Sequence, residues 1–156
     1  VSLHIVLYQP EIPPNTGNIM RLCANTGCDL HLIRPLGFSL DDKRLRRAGL
    51  DYREFSRVSS HDSLDDFSQA VAPARVFSFS TRGRRRYSSV DYRSGDALLF
   101  GPETRGLPVT LLEQLGDEHC LRIPMQPGSR SLNLSNAVAL VAYEALRQLD
   151  FPGLEP

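Results

Sequence analysis

Short apolar runs recur along the chain with helix-patterned stretches between them, and this alternation constrains the fold more than any other feature. Leu3 to Tyr8, Leu30 to Ile33, Arg75 to Ser80, Asp96 to Phe100 and the segment opening at Leu121 are strand-like runs of roughly four to eight residues. Between the first two, Asn15 or Thr16 can cap a helix that puts Ile19, Leu22, Cys23 and Thr26 on one face and stops at Gly27. Gln9 to Pro14 is expected to be irregular, because proline fixes φ and lacks a donor. Asp41 and Asp42 open a short basic helix with acids at its positive end, and a weak strand is expected near Tyr52 to Val58. Ser63 to Val71 aligns Leu64, Phe67 and Val71, and Pro108 suits the first turn of a helix reaching Leu115. Such alternation predicts an α/β fold, a mostly parallel sheet with helices on both faces, as one domain over residues 1–156. Ligands of such sheets sit beyond the carboxyl ends of strands. That singles out the loops after Ser80, at Gly101 to Pro108 and at Pro124 to Asn133.

A chain of 156 residues buries ~70% of its unfolded surface, so neither disulfide nor metal is required, and none is expected. Cys23, Cys28 and Cys120 lack paired spacing and read as buried or half-buried free thiols. No apolar run approaches the ~20 residues of a membrane span and no signal peptide precedes the first strand, so the expectation is a cytoplasmic protein. Net charge is zero, but the basic residues, nearly all Arg, are clustered. Lys43, Arg44, Arg46, Arg47, Arg53 and Arg57 read equally as a solvated face or a phosphate footprint. Arg82, Arg84, Arg85 and Arg86, packed around Gly83, read as an RNA or phosphate surface.

Leu121 to Leu149 passes from strand through a polar loop into a helix with Leu134, Ala137, Val138, Val141, Ala142, Ala145 and Leu149 on one face. Ser129, Arg130, Ser131, Asn133, Ser135 and Asn136 offer more hydrogen bonding than capping needs, which points to a binding loop. Tyr143 lies off the apolar stripe and is expected to face a partner subunit, solvent or RNA. GxGxxG after the first strand, GxxxxGK[ST], GxSxG and HExxH are all absent, and the four histidines are scattered, which disfavours a triad hydrolase or a zinc enzyme. Loops rich in Gly, Pro, Ser and Asn, with isolated Arg21, Arg105 and Arg130, suit a nucleotide approached through backbone groups. The residues alone lead to a nucleotide-like pocket beside an Arg-rich surface and to no particular reaction.

Three ordered segments, NTGNIMRLCANTG, LLFGPETRGLP and IPMQPGSRSLNLSNAVALVAYEA, resemble the motifs of the SPOUT superfamily of S-adenosylmethionine-dependent RNA methyltransferases. More narrowly, the chain is similar to the YibK-like tRNA 2′-O-methyltransferases, which modify the ribose of the wobble nucleotide, position 34, cytidine or modified uridine. That resemblance implies an α/β fold whose C-terminal segment is threaded into a deep trefoil knot, and a homodimer with each pocket near the interface. It implies S-adenosylmethionine contacts at Phe79, Ser80, Gly101, Ile123, Met125, Ser131 and Leu132. It also implies a catalytic Arg21 accompanied by Asn15, Glu103, Ser131 and Asn133, and a tRNA anticodon region as partner. Arg84, Arg85, Arg86, Arg130 and Tyr143 are the expected RNA contacts. The competing expectation is a non-catalytic RNA-binding or assembly factor with the same fold.

Overall fold

The computed structural model describes residues 3–47 and 58–156, with the side chain of Arg46 excluded. The strands are β1 (His4–Tyr8), β2 (Asp29–Ile33), β3 (Val58–His61), β4 (Val76–Phe79), β5 (Arg85–Arg86), β6 (Ala97–Phe100) and β7 (Cys120–Arg122). The helices are α1 (Pro13–Thr26), α2 (Lys43–Arg46), α3 (Leu64–Val71), α4 (Val109–Leu115) and α5 (Leu134–Gln148). The strands form one sheet in the order β3-β2-β1-β6-β4-β7-β5, and every pairing is parallel. Of the weak strand expected near Tyr52 to Val58, residues 52–57 lie outside the described residues; Val58 opens β3.

The central strands are apolar throughout because both faces are covered. Ile5, Leu7, Leu30, Leu32, Leu98 and Phe100 pack with Ile19, Met20 and Cys23 of α1 and with Val138, Val141, Ala142 and Ala145 of α5. The alternate residues Val6, Ile33, Ala97 and Leu99 point the other way, against Phe67 of α3 and Leu112 of α4. Helices therefore lie on both faces. All three cysteines are buried. Where β4 and β6 begin, Arg75 grips the fully buried Asp96 with two bonds, Nε to Oδ1 at 3.0 Å and Nη2 to Oδ2 at 2.7 Å.

Three details correct the sequence reading. α1 begins at Pro13 rather than at Asn15 or Thr16, so Pro13 and Pro14 are helical. Proline is tolerated there because first-turn N–H groups have no intrahelical acceptor. Arg85 and Arg86, expected in a loop, form an edge strand on β7. The scattered histidines converge: His4 Nδ1 lies 3.1 Å from His31 Nε2, and His31 Nδ1 lies 3.0 Å from His61 Nε2.

β7 lies between β4 and β5, and Leu121 is aligned with both Phe79 and Arg85. The loop joining β4 to β5 must therefore cross β7 at Leu121. Gly83 makes the crossing possible, because a Cβ there would stand 2.7 Å from the carbonyl carbon and oxygen of Leu121. Ser80 N–H bonds Leu121 O at 3.0 Å, and Arg122 Nη1 bonds Thr81 O at 2.8 Å, holding the loop against the strand.

Candidate active site

β1, β2 and β3 run outward to one side of the sheet, the later strands fill the other side, and β1 meets β6 at the junction. A crevice is expected at that switch point. Here two carboxylates bridge it. Glu103, on the loop after β6, accepts the Glu11 N–H through Oε1 and the Ile12 N–H through Oε2, both at 2.8 Å. Ile12 caps α1 without a side-chain acceptor of its own, so Glu103 supplies a buttress that the local sequence lacks. In return Glu11 accepts from the Thr104 N–H and hydroxyl, each at 2.8 Å. The Thr104 N–H first, then its hydroxyl, hold the Glu11 carboxyl below the usual carboxylate range.

The same network reaches α5. Asn15 Nδ2 donates to Glu103 Oε2 at 3.2 Å, and Asn133 Nδ2 donates to Asn15 Oδ1 at 3.1 Å. Asn133 Oδ1 then caps α5 by accepting from Ser135 N–H at 2.9 Å, the Ser135 hydroxyl at 2.6 Å and Asn136 N–H at 3.3 Å. One chain of polar contacts thus fixes the starts of two helices and the loop after β6.

Beside it, over the ends of β4, β6 and β7, opens a cavity of ≈520 Å³. That volume is in the range of small-molecule sites. Phe79 and Phe100, stacked 4.7 Å apart with rings 10° from parallel, give it an apolar wall. At Gly101 the loop folds back so tightly that a Cβ would stand 2.5 Å from Leu107 N. A small mixed aromatic and backbone-rich cavity of this kind fits a nucleoside, including the adenosine part of S-adenosylmethionine.

All seven expected cofactor contacts, Phe79, Ser80, Gly101, Ile123, Met125, Ser131 and Leu132, line this one cavity. Asn15, Glu103 and Asn133 line it too. Arg21 does not: it is exposed on α1 and outside the lining. Arg84, Arg85, Arg86, Arg130 and Tyr143 are exposed and also outside the lining, with Arg85 Nη1 donating to Glu118 O at 2.9 Å. The sequence reading missed Glu11 as a site residue, and no local signal ties it to Thr104, 93 positions away. Arg82, read from the sequence as part of an RNA or phosphate surface, and Arg105, read as an isolated arginine suited to a nucleotide, were not assigned to the pocket, and both line the cavity. The loop positions expected at strand ends were the available signal for them.

The sequence matches the SpoU rRNA Methylase family over residues 2–143. It is 62% identical over 151 residues to the tRNA (cytidine(34)-2′-O)-methyltransferase of Aeromonas hydrophila, covering 97% of each chain. Among solved structures, one described as giving insight into the 2′-OH methylation of C/U34 on tRNA superposes with a TM-score of 0.88 at 52% identity, covering 96% of this chain and 97% of the other. An AdoMet-bound rRNA methyltransferase from Sinorhizobium meliloti superposes with a TM-score of 0.80 at 27% identity, covering 95% of this chain and 57% of the other.

Proposed function

This chain belongs to the SpoU rRNA Methylase family, and from that premise we propose that it methylates the ribose 2′-OH of the wobble nucleotide, position 34, in tRNA. The observation that carries the proposal is the convergence of the seven cofactor positions and the Asn15, Glu103 and Asn133 network on one cavity. Phe79, Ser80, Gly101, Ile123, Met125, Ser131 and Leu132 would hold S-adenosylmethionine, which supplies an electrophilic methyl sulfonium when bound. Glu103 and Asn133 act by position: their oxygens are engaged by N–H and hydroxyl donors, which suits them to fixing the cavity wall.

Arg21 is the proposed catalytic residue. An arginine side chain stays protonated in proteins at neutral pH and offers five N–H donors but no acceptor. The guanidinium therefore acts charged, orienting the substrate phosphate and stabilising the 2′-oxygen as it becomes an alkoxide. Its exposed position on α1 calls for a site completed by RNA and a second subunit. Ile12, Leu132, Leu140 and Tyr143 are exposed apolar or aromatic side chains, which supports a homodimer. The crossing of β7 by the β4–β5 loop supports the reading that the following segment is threaded into a trefoil knot. Arg84, Arg85, Arg86, Arg130 and Tyr143 are proposed to meet the anticodon region, in the cytoplasm. Among the described residues no helix is long and apolar enough to cross a membrane.

Mass spectrometry of tRNA nucleosides after incubation with protein and S-adenosylmethionine tests the reading; a 2′-O-methylated residue at position 34 is expected, and unmodified tRNA would refute it. Arg21→Ala should abolish transfer while leaving S-adenosylhomocysteine affinity within a few fold. Comparable turnover by that variant would remove Arg21 from the mechanism.

A further inference from the structure

The cavity mouth carries more positive charge than its wall consumes. Three arginines line it, Arg82, Arg105 and Arg122, against one carboxylate, Glu103. Glu103 is engaged by the Glu11 and Ile12 N–H groups and by Asn15, and Arg122 donates to Thr81 O at 2.8 Å. Arg82 is different. Its backbone N–H bonds Ser80 Oγ at 3.1 Å, and no hydrogen bond or ion pair engages its guanidinium among the described residues. Arg105 is only loosely held, with Nε 3.8 Å from Glu11 Oε2, Nη2 3.3 Å from Gln9 Oε1 and a side chain 60% exposed. Glu11 makes its short bonds to Thr104 instead.

These two arginines come from adjacent loops, one after β4 and one after β6, and β4 and β6 are paired neighbours. Both side chains are exposed, so they stand at the rim rather than at the base of the cavity. A rim guanidinium that no acceptor among the described residues holds, as for Arg82, or that is held only loosely, as for Arg105, suits an anion arriving from solvent, and its planar fork suits phosphate oxygens. We propose that Arg82 and Arg105 clamp the RNA phosphates beside the ribose that enters the cavity. The clamp rests on the reading of the cavity as an RNA methylation site and adds phosphate contacts at the cavity mouth to those proposed for Arg84, Arg85 and Arg86. The loop crossing explains why Arg82 is held at the mouth: Gly83 next to it is pinned against Leu121.

The test is tRNA binding followed by fluorescence anisotropy across a salt series, with S-adenosylhomocysteine binding measured by calorimetry on the same proteins. Arg82→Gln and Arg105→Gln should each raise the Kd for tRNA about 3- to 10-fold and make the plot of log affinity against log salt shallower by about 0.7 to 0.9. The two effects should combine in the double variant, while S-adenosylhomocysteine affinity stays within about twofold. Arg82→Lys should keep most of the salt slope, since it keeps the charge. Arg34→Gln, which removes a surface arginine paired with Asp62 at 2.7 Å, is the control for general loss of charge and should leave the slope as in wild type. Arg82 makes no side-chain bond among the described residues, so its substitution does not threaten the fold they form and keeps the test decisive. An unchanged slope in the double variant would overturn the clamp, as would selective loss of S-adenosylhomocysteine affinity, which would assign the arginines to the cofactor carboxylate. A wild-type protein that binds tRNA with a clamp-dependent slope but transfers no methyl would refute the enzymatic reading and leave the clamp standing.

Discussion

Replacing His31 with phenylalanine should flatten the acid side of the stability curve. His4, His31 and His61 form a continuous imidazole chain across β1, β2 and β3, with ring nitrogens 3.1 and 3.0 Å apart. Phe67 presents its ring edgewise to His31 and His61, at 4.8 and 5.4 Å. Such a chain is self-consistent when all three rings are neutral and share one tautomer, each N–H facing the next bare nitrogen. Burial first, then the neighbouring His4 and His61, push the His31 pKa down to about 4 from 6.5, against a smaller opposing pull from Asp29. Burial lowers His4 and His61 as well; Asp29 opposes the first, while Arg34 reinforces and Asp66 opposes the second. A lowered histidine pKa means that the unfolded chain takes up the proton first. Stability is therefore full above pH 6.5 and declines as the pH falls from 6.5 towards 4. From pH 7.5 to 4.5, His31 alone accounts for a loss of about 2.5 kcal/mol at ~1.36 kcal/mol per unit. Urea unfolding at fixed pH values should show that loss in the wild type and a loss smaller by about that amount in His31→Phe. The phenylalanine keeps an aromatic ring against Phe67, and the partly exposed His4 and His61 keep access to water. An identical pH dependence in the two proteins would refute the argument and assign acid sensitivity to carboxylates.

Glu103→Gln should cost about 1–3 kcal/mol, because an amide cannot accept from both Glu11 and Ile12 N–H groups as the carboxylate does. S-adenosylhomocysteine affinity should fall with it; lost turnover at unchanged affinity and unchanged melting temperature would make Glu103 a proton-transfer group instead. Thr16→Val should stabilise the protein by about 1 kcal/mol, since the Thr16 hydroxyl is buried on α1 and its oxygen is without a hydrogen-bond partner among the described residues. A lower melting temperature in that variant would show that the hydroxyl is satisfied.

The strands were legible because burial on both faces leaves contiguous apolar runs, as in Ala97–Phe100, where every residue is buried. The three loops expected to bind ligand line the cavity for a related reason: in a parallel sheet the chain direction alone fixes which ends are carboxyl ends. β5 was illegible, since two exposed arginines carry no apolar pattern and become a strand only because β7 offers a free edge. The start of α1 was misread because its first two residues are prolines, which bring no N–H to the first turn, while the N–H of the capping Ile12 is met by a glutamate 91 positions away. The histidine chain is hidden in the same way, with partners 27 and 30 positions apart that meet only through the register of β1, β2 and β3.

These long-range contacts also decide where the binding cavity lies. The strand order alone places the expected crevice between β1 and β6, but Glu11 and Glu103 bind the two loops across that point from opposite directions. Because each carboxylate sits on one loop and is satisfied on the other, neither loop can withdraw without leaving backbone or hydroxyl donors unpaired. The cavity that gathers the expected cofactor positions lies instead toward β4 and β7, where the crossing at Gly83 and the capped start of α5 form the remaining walls. Cavity position in this fold thus follows from a reciprocal pair of glutamates and a glycine crossing, and a variant that loosens either should change ligand affinity before it changes any residue that touches the ligand.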